Sequence, residues 1–402
     1  MTDTPPISGP APGPDTQKRI HMRTRTLWTP ALLSAGLVLA ACGGPAEEAA
    51  ETDPVEVNDA LVATYDGGIY VLDGETLEVV EDLPLEGFNR LNPAGDGQHV
   101  LVTTPTGFRV LDATGAALSD DEFPAAEAGH VVNHAGVTVL FADGSGEVTI
   151  FDPQDLGDGL PETETFTTEH PHHGVAVELA NGELLVTLGD EEFRPGVQVL
   201  DAERNEIARS EECPGVHGES AAADETIVVG CENGVLVYRD GALTKIDSPD
   251  EYGRIGNSRG HEDSRFVLGD YKVDPEAELE RPERVSVIDT VTGELTLVDV
   301  GTSYSFRSLA RGPEGEGLLL GTDGALHVID MEQAAVTASY PVVDAWEEPL
   351  EWQEARPAVF VRGDTAYVSD PAALKIYAVD VATGEITAET ELAGAPNEMT
   401  GV

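Results

Sequence analysis

From about residue 60 onward one pattern returns again and again: a short alternating strand that ends near an aspartate. The copies are IYVLD ending at Asp73, FRVLD at Asp112, VTIFD at Asp152, VQVLD at Asp201, VLVYRD at Asp240, VSVID at Asp289, LHVID at Asp330 and IYAVD at Asp380. They lie about 39 to 50 residues apart. Before each lies another apolar strand, such as HVLVTT, TVLFAD, TIVVGCE or TAYVSD. After many comes a G-E or G-A turn and a further strand, as in TGELTLVDV and TGEITAETEL. Period-two alternation broken by turn residues predicts an all-β chain. Four short strands in each repeat of this length are the pattern of β-propeller blades. Eight units can be counted, with seven blades possible if two units share a sheet. The first unit, from Leu61, begins at its second strand. The segment Pro396–Val402 is expected to supply the missing innermost strand, closing the ring without a free sheet edge.

The charge balance narrows the partners. The 402 residues include 75 acidic and 22 basic side chains, a formal net charge of −53. A polyphosphate would be repelled over most of such a surface, which argues against nucleic acid. Cations are favoured, although adaptation to salt produces the same composition.

The first 60 residues read differently. Basic residues from Lys18 to Arg25 precede an apolar run from Leu27 to Ala41, which ends at Leu39-Ala40-Ala41-Cys42. A basic start, a short apolar core and small residues before a cysteine form an export signal. The run is about 15 residues, against the roughly 20 a spanning helix needs. The L-A-A-C ending resembles a bacterial lipobox, which implies lipidation of Cys42. Residues 1–41 are thus expected to be a lipoprotein signal peptide, with Met22 an alternative start. Residues 42–59 carry six carboxylates and almost no large apolar residue, as in a flexible acidic tether. Residues 60–402 would be the propeller. The expected location is exported, periplasmic or at the cell surface, and lipid-anchored to the membrane.

Blade geometry sorts the histidines. With strands a to d numbered outward from the channel, the d-to-a and b-to-c connections emerge on one face, because strands alternate in direction. His130, His170, His172, His173 and His217 fall in d-to-a connections or at the starts of inner strands of three successive blades. They should converge on one sector of the channel mouth. The b-to-c connections there carry Asp143, then Asp190-Glu191-Glu192, then Glu232, then Asp270. Several imidazoles with one carboxylate suit zinc. His99 and His327 lie within outer strands and read as structural. His134 and His261 occupy equivalent a-to-b turns on the opposite face, where a turn-stabilising hydrogen bond is expected. Cys213 and Cys231 could be zinc thiolates. An oxidising compartment favours a disulfide between them, and both lie at the same face of one blade.

No nucleophile elbow, P-loop, dinucleotide fingerprint or HExxH segment occurs. The motifs HPHHG (170–174) and CPGVHGE (213–219), with GHVVNH (129–134) and the Cys231-Glu232-Asn233-Gly234 turn, resemble the propeller zinc metallochaperones of AztD type. The resemblance runs from about residue 60 to the end. It implies a zinc-binding protein, not an enzyme, that hands Zn²⁺ to the solute-binding protein of an ABC zinc importer. Carried over by motif, the implied ligands are His170, His172, His173 and His217, with Asp190 as the carboxylate. Two other classes stay open: a metal-free surface interaction propeller, and a metal-dependent hydrolase or lactonase on the same fold.

Overall fold

The repeating Asp has a local reason. In the computed structural model, which describes residues 56–157 and 159–402, it stands at the turn between the third and fourth strands of its unit. In seven of the eight units its carboxylate accepts from backbone N–H groups two or three residues on. Asp73 does so for Glu75 and Thr76, Asp289 for Val291 and Thr292, and Asp112, Asp152, Asp201, Asp330 and Asp380 behave alike. Such Asx turns reverse the chain without calling on strand hydrogen bonds. The leader and Cys42 lie outside the described residues.

Eight antiparallel sheets result, seven of four strands and one, the fifth, with a short additional pairing at Gly253–Arg254. The blade count is therefore eight, and no two units share a sheet. The inner strands, in ring order, are Met399–Gly401, Arg90–Pro93, Ala128–His134, Ala176–Glu178, His217–Ala222, Ser258–His261, Leu309–Arg311 and Val359–Arg362. The second strands, such as Thr226–Cys231, are buried on both faces between neighbouring blades, and so read as continuous apolar runs. The outermost strands, such as Ala335–Pro341, alternate because one face meets solvent. Eight apolar layers fill the junctions, one between each pair of adjacent blades. Val57, just ahead of the first strand, is buried in one of them, and its N–H donates to Thr114 O.

The ring closes as the repeat count required. Met399, Thr400 and Gly401 pair antiparallel with Ala63, Val62 and Leu61. Flanking bonds extend the seam, from Thr64 N to Glu398 O at 2.9 Å and from Val402 N to Ala60 O at 3.1 Å. Among the described residues no helix is long and apolar enough to cross a membrane.

Candidate metal centre

Three inner elements bring imidazoles to one point. His130 lies in the inner strand of the third blade, His173 in the connection leading to the fourth, and His217 at the start of the inner strand of the fifth. One ring nitrogen from each lies within 4.8 Å of the others. The ring centroids are 5.1 Å apart for His130–His173 and His173–His217, and 5.6 Å for His130–His217.

Irregular backbone makes this possible. The pairing of Ala128–His134 with its neighbour shifts register between Ala128 and Val131, and that of His217–Ala222 between His217 and Glu219. These are β-bulges, which re-aim side chains that regular pleating would point elsewhere. Gly218, at φ +71°, supplies the left-handed backbone at the second of them. His173 is placed by a compact turn. Thr168 Oγ1 donates to His170 O at 2.8 Å, and Arg194 Nη1 donates to His173 O at 3.1 Å. Gly174 must be glycine, since a Cβ there would lie 2.5 Å from the Phe141 ring and 2.6 Å from Thr187 Oγ1.

The hydrogen bonds select the tautomers. His217 Nδ1–H donates to Gly256 O at 2.7 Å, and His173 Nδ1–H to Asp143 Oδ2 at 2.5 Å, leaving Nε2 of each with a free lone pair. Asp143 also accepts from Gly174 N at 3.4 Å. His130 Nδ1 is 3.8 Å from Glu219 Oε2. Burial, reinforced by the neighbouring imidazoles His217 and His173, holds His130 well below its ordinary pKa. Burial lowers His217 to about 3, with His173, Arg254 and Arg194 adding to the effect against the Gly256 hydrogen bond. Both rings are therefore neutral at pH 7, the form that coordinates a metal. Burial raises the Glu219 carboxyl to about 7.

The structure brings together three of the residues named from sequence and leaves three others apart. His172 is 3% exposed. Its Nδ1–H donates to His170 O at 2.9 Å, its Nε2 lies 3.0 Å from Thr187 Oγ1, and its ring packs against Phe141. Both nitrogens are occupied in holding the turn. His170 points to solvent, 4.0 Å from Glu169. Asp190 caps its own loop, accepting from Glu192 N at 2.9 Å and Phe193 N at 2.8 Å, and these bonds lower its pKa. The carboxylate hydrogen-bonded to the cluster is Asp143, one b-to-c connection earlier than expected. His172→Ala is accordingly expected to cost about 2–4 kcal/mol of stability through a cavity and two lost hydrogen bonds. A denaturant midpoint unchanged from wild type would contradict that role.

Three of the four remaining described histidines are satisfied locally, whereas His134 Nε2 is buried with no hydrogen-bond partner among the described residues, so the turn bond expected there is not made. His99 Nδ1 lies 2.5 Å from Asp96, His327 lies between Ser339 and Asp323, and His261 Nδ1 accepts from Asp263 N in its turn. His134 lies 3.5 Å from Glu225. Cys213 and Cys231 form a disulfide with Cα atoms 4.8 Å apart. It ties the segment four residues before His217 to the end of the adjacent strand.

Fold and site together define an eight-bladed propeller that presents a three-imidazole cluster at the mouth of its channel. No family model matches the chain. It is 24% identical over 302 residues to the zinc chaperone AztD of Citrobacter koseri, spanning 73% of this chain and 69% of that protein. The structure of apo AztD from Citrobacter koseri superposes with a TM-score of 0.75 at 20% identity, covering 85% of this chain and 96% of that one. The chain is a homologue of the zinc chaperone AztD. The fold is also shared with the dihydro-heme d1 dehydrogenase NirN, at a TM-score of 0.57 and 14% identity over 89% of this chain and 77% of that one.

Proposed function

We propose that the protein is an exported zinc metallochaperone that delivers Zn²⁺ to the solute-binding protein of an ABC zinc importer. The observation that carries this reading is the convergence of His130, His173 and His217 from three successive blades, with their ring nitrogens turned to one point. Zn²⁺ prefers nitrogen ligands at about 2.0–2.1 Å in tetrahedral array, which places neighbouring nitrogens about 3.3 Å apart. The cluster must therefore contract on binding. His173, on a connection and 43% exposed, is the member free to move. Asp143 behind His173 orients its ring, as a carboxylate behind a metal-bound imidazole does.

Three imidazoles leave the fourth position open to water or to an incoming ligand. An acceptor's imidazole or carboxylate can enter there and displace the protein's ligands one at a time, starting with the exposed His173. No bare ion need be released. The homologue is a chaperone rather than an enzyme, and an imidazole-rich cluster supports the same reading here. The Leu39-Ala40-Ala41-Cys42 ending supports export and lipid anchoring at Cys42, with residues 1–41 removed and the acidic stretch from Cys42 up to the buried Val57 as tether. Acidic side chains there would attract cations.

The test is metal content after chelation and reloading with zinc. One Zn²⁺ per chain that survives a competing chelator is expected, and its absence would return the propeller to a metal-free interaction surface. Asp143→Asn is expected to weaken zinc binding about 10- to 100-fold, measured by chelator competition.

A further inference from the structure

Basic residues are scarce in this chain, 22 against 75 acidic, yet arginines gather in the channel. Arg90 and Arg259 stand on the inner strands of the second and sixth blades, and Arg307 sits two residues ahead of the inner strand of the seventh. With Asn257, Phe306 and Glu398 they line a cavity of about 400 Å³. All three arginines lie near the starts of inner strands. That is the end at which His217 begins its own strand, so the three arginines stand toward the same face as the histidine cluster.

The guanidinium groups exceed what the protein supplies to meet them. Arg307 is 7% exposed. Its Nη1 donates to the side-chain oxygen of Asn397, and its Nη2 lies 2.6 Å from Glu398 Oε1. Its Nε is buried with no hydrogen-bond partner among the described residues. Arg259 uses Nε and Nη1 on the carbonyls of Leu309 and Ser258, at 3.2 and 2.8 Å. Arg90 reaches the same Glu398 only at 3.8 Å. Glu398 is therefore shared by two of the guanidiniums, and Arg259 makes no ion pair among the described residues. Glu219 and Asp270 also act on Arg259 by their charge. A fourth arginine on the wall, Arg311, is spent on structure, since it donates to Arg259 O, Phe266 O and Gly315 O.

A buried guanidinium with an unmet N–H costs free energy that a matching acceptor restores. The planar fork of arginine fits an oxyanion by paired hydrogen bonds. The surrounding surface does not attract anions, because its net charge repels them, so affinity must come from the cavity itself. We propose that the channel cavity walled by Arg90, Arg259 and Arg307 is a binding site for a small oxyanion of two negative charges, of the phosphate or dicarboxylate class. The site stands on its own residues and does not depend on the zinc reading. It neighbours the cluster in the ring, since Arg90 and Arg259 stand on the inner strands next to those of His130 and His217.

The test uses the full chain after chelator treatment, titrated calorimetrically with inorganic phosphate and separately with malonate. One saturable site per chain is expected. Arg90→Gln is the safest variant, because Arg90 is half exposed and holds only the 3.8 Å contact. It is expected to weaken binding by about tenfold or more. Arg307→Lys, which keeps charge but loses the fork, should weaken it too. His173→Ala should leave the anion affinity unchanged, which separates this site from the metal centre. Malonate displacing phosphate would assign the site to dicarboxylates, and the reverse to phosphate. The absence of saturable binding of either anion, or equal affinity in wild type, Arg90→Gln and Arg307→Lys, would overturn the proposal.

Discussion

His217→Ala is expected to lower zinc affinity by about 100-fold or more while leaving the unfolding transition of the metal-free protein nearly in place. The size follows from the ligand count. Zinc held by a few nitrogens is bound by roughly 10–16 kcal/mol, so the loss of one ligand in three or four removes about 3 kcal/mol, or two decades in Kd. His217 is the informative choice because it is the most firmly placed of the three. Its Nδ1 is fixed by Gly256 O and its strand by the bulge at Gly218. The fold loses little, since the ring makes one hydrogen bond and lies at the channel rather than within a blade junction. A His217→Ala protein with wild-type zinc affinity would place the ion elsewhere. His170→Ala serves as the control, because that side chain faces solvent and should change nothing measurable.

Opening the disulfide comes second in expected effect. Cys213 and Cys231 are 18 residues apart, and closing a loop of that length restricts the unfolded chain by an amount worth about 3 kcal/mol. Cys213→Ser with Cys231→Ser should therefore shift the denaturant midpoint downward by a corresponding amount. Both sulfurs are fully buried in the layer between the fourth and fifth blades, so the paired hydroxyls would add a cost of their own. Cys213→Ala with Cys231→Ala isolates the cross-link from that polarity. Because the bridge lies close to His217, zinc affinity should fall as well, though by less than the loss of an imidazole. Identical midpoints with and without a reductant would show that the bridge does not restrain the native ring.

How much of this could be read from the chain differs between fold and site. Blade architecture was legible because each unit repeats the same solution: a doubly buried strand, a strand ending in an Asx-capped turn, and an alternating outer strand. Ring closure was legible because the first unit lacked an inner strand and the final residues could supply one. The site was legible only as a region. Blade topology placed five histidines at one mouth, but it could not decide which ring of His170, His172 and His173 faces the channel. That choice falls to the turn around Pro171 and to Gly174, whose missing Cβ lets His172 fold under against Phe141 and Thr187. The same limit explains Asp143 and Asp190. Both stand on the expected face; the connection carrying His173 brings its ring to Asp143 while Asp190 closes its own loop, and bulges aim the rings of His130 and His217. Gly129 beside His130 and Gly218 beside His217, glycines inside strands, were the available hints of those bulges. The channel arginines went unread because a lone charge at a strand start looks like any solvated terminus until the ring is closed.

That closure also orders events in time. The strand Met399–Gly401 completes the blade begun by Leu61–Leu85, so the oldest part of the propeller in order of synthesis is finished by the newest. Until those residues arrive, the edge of Leu61–Tyr65 remains open to any passing strand. The separation itself is a small obstacle, since each doubling of a loop adds only about 0.6 kcal/mol to its closure. The delay is kinetic: seven blades can stack as they emerge, but the circle stays a spiral until the last one is sealed.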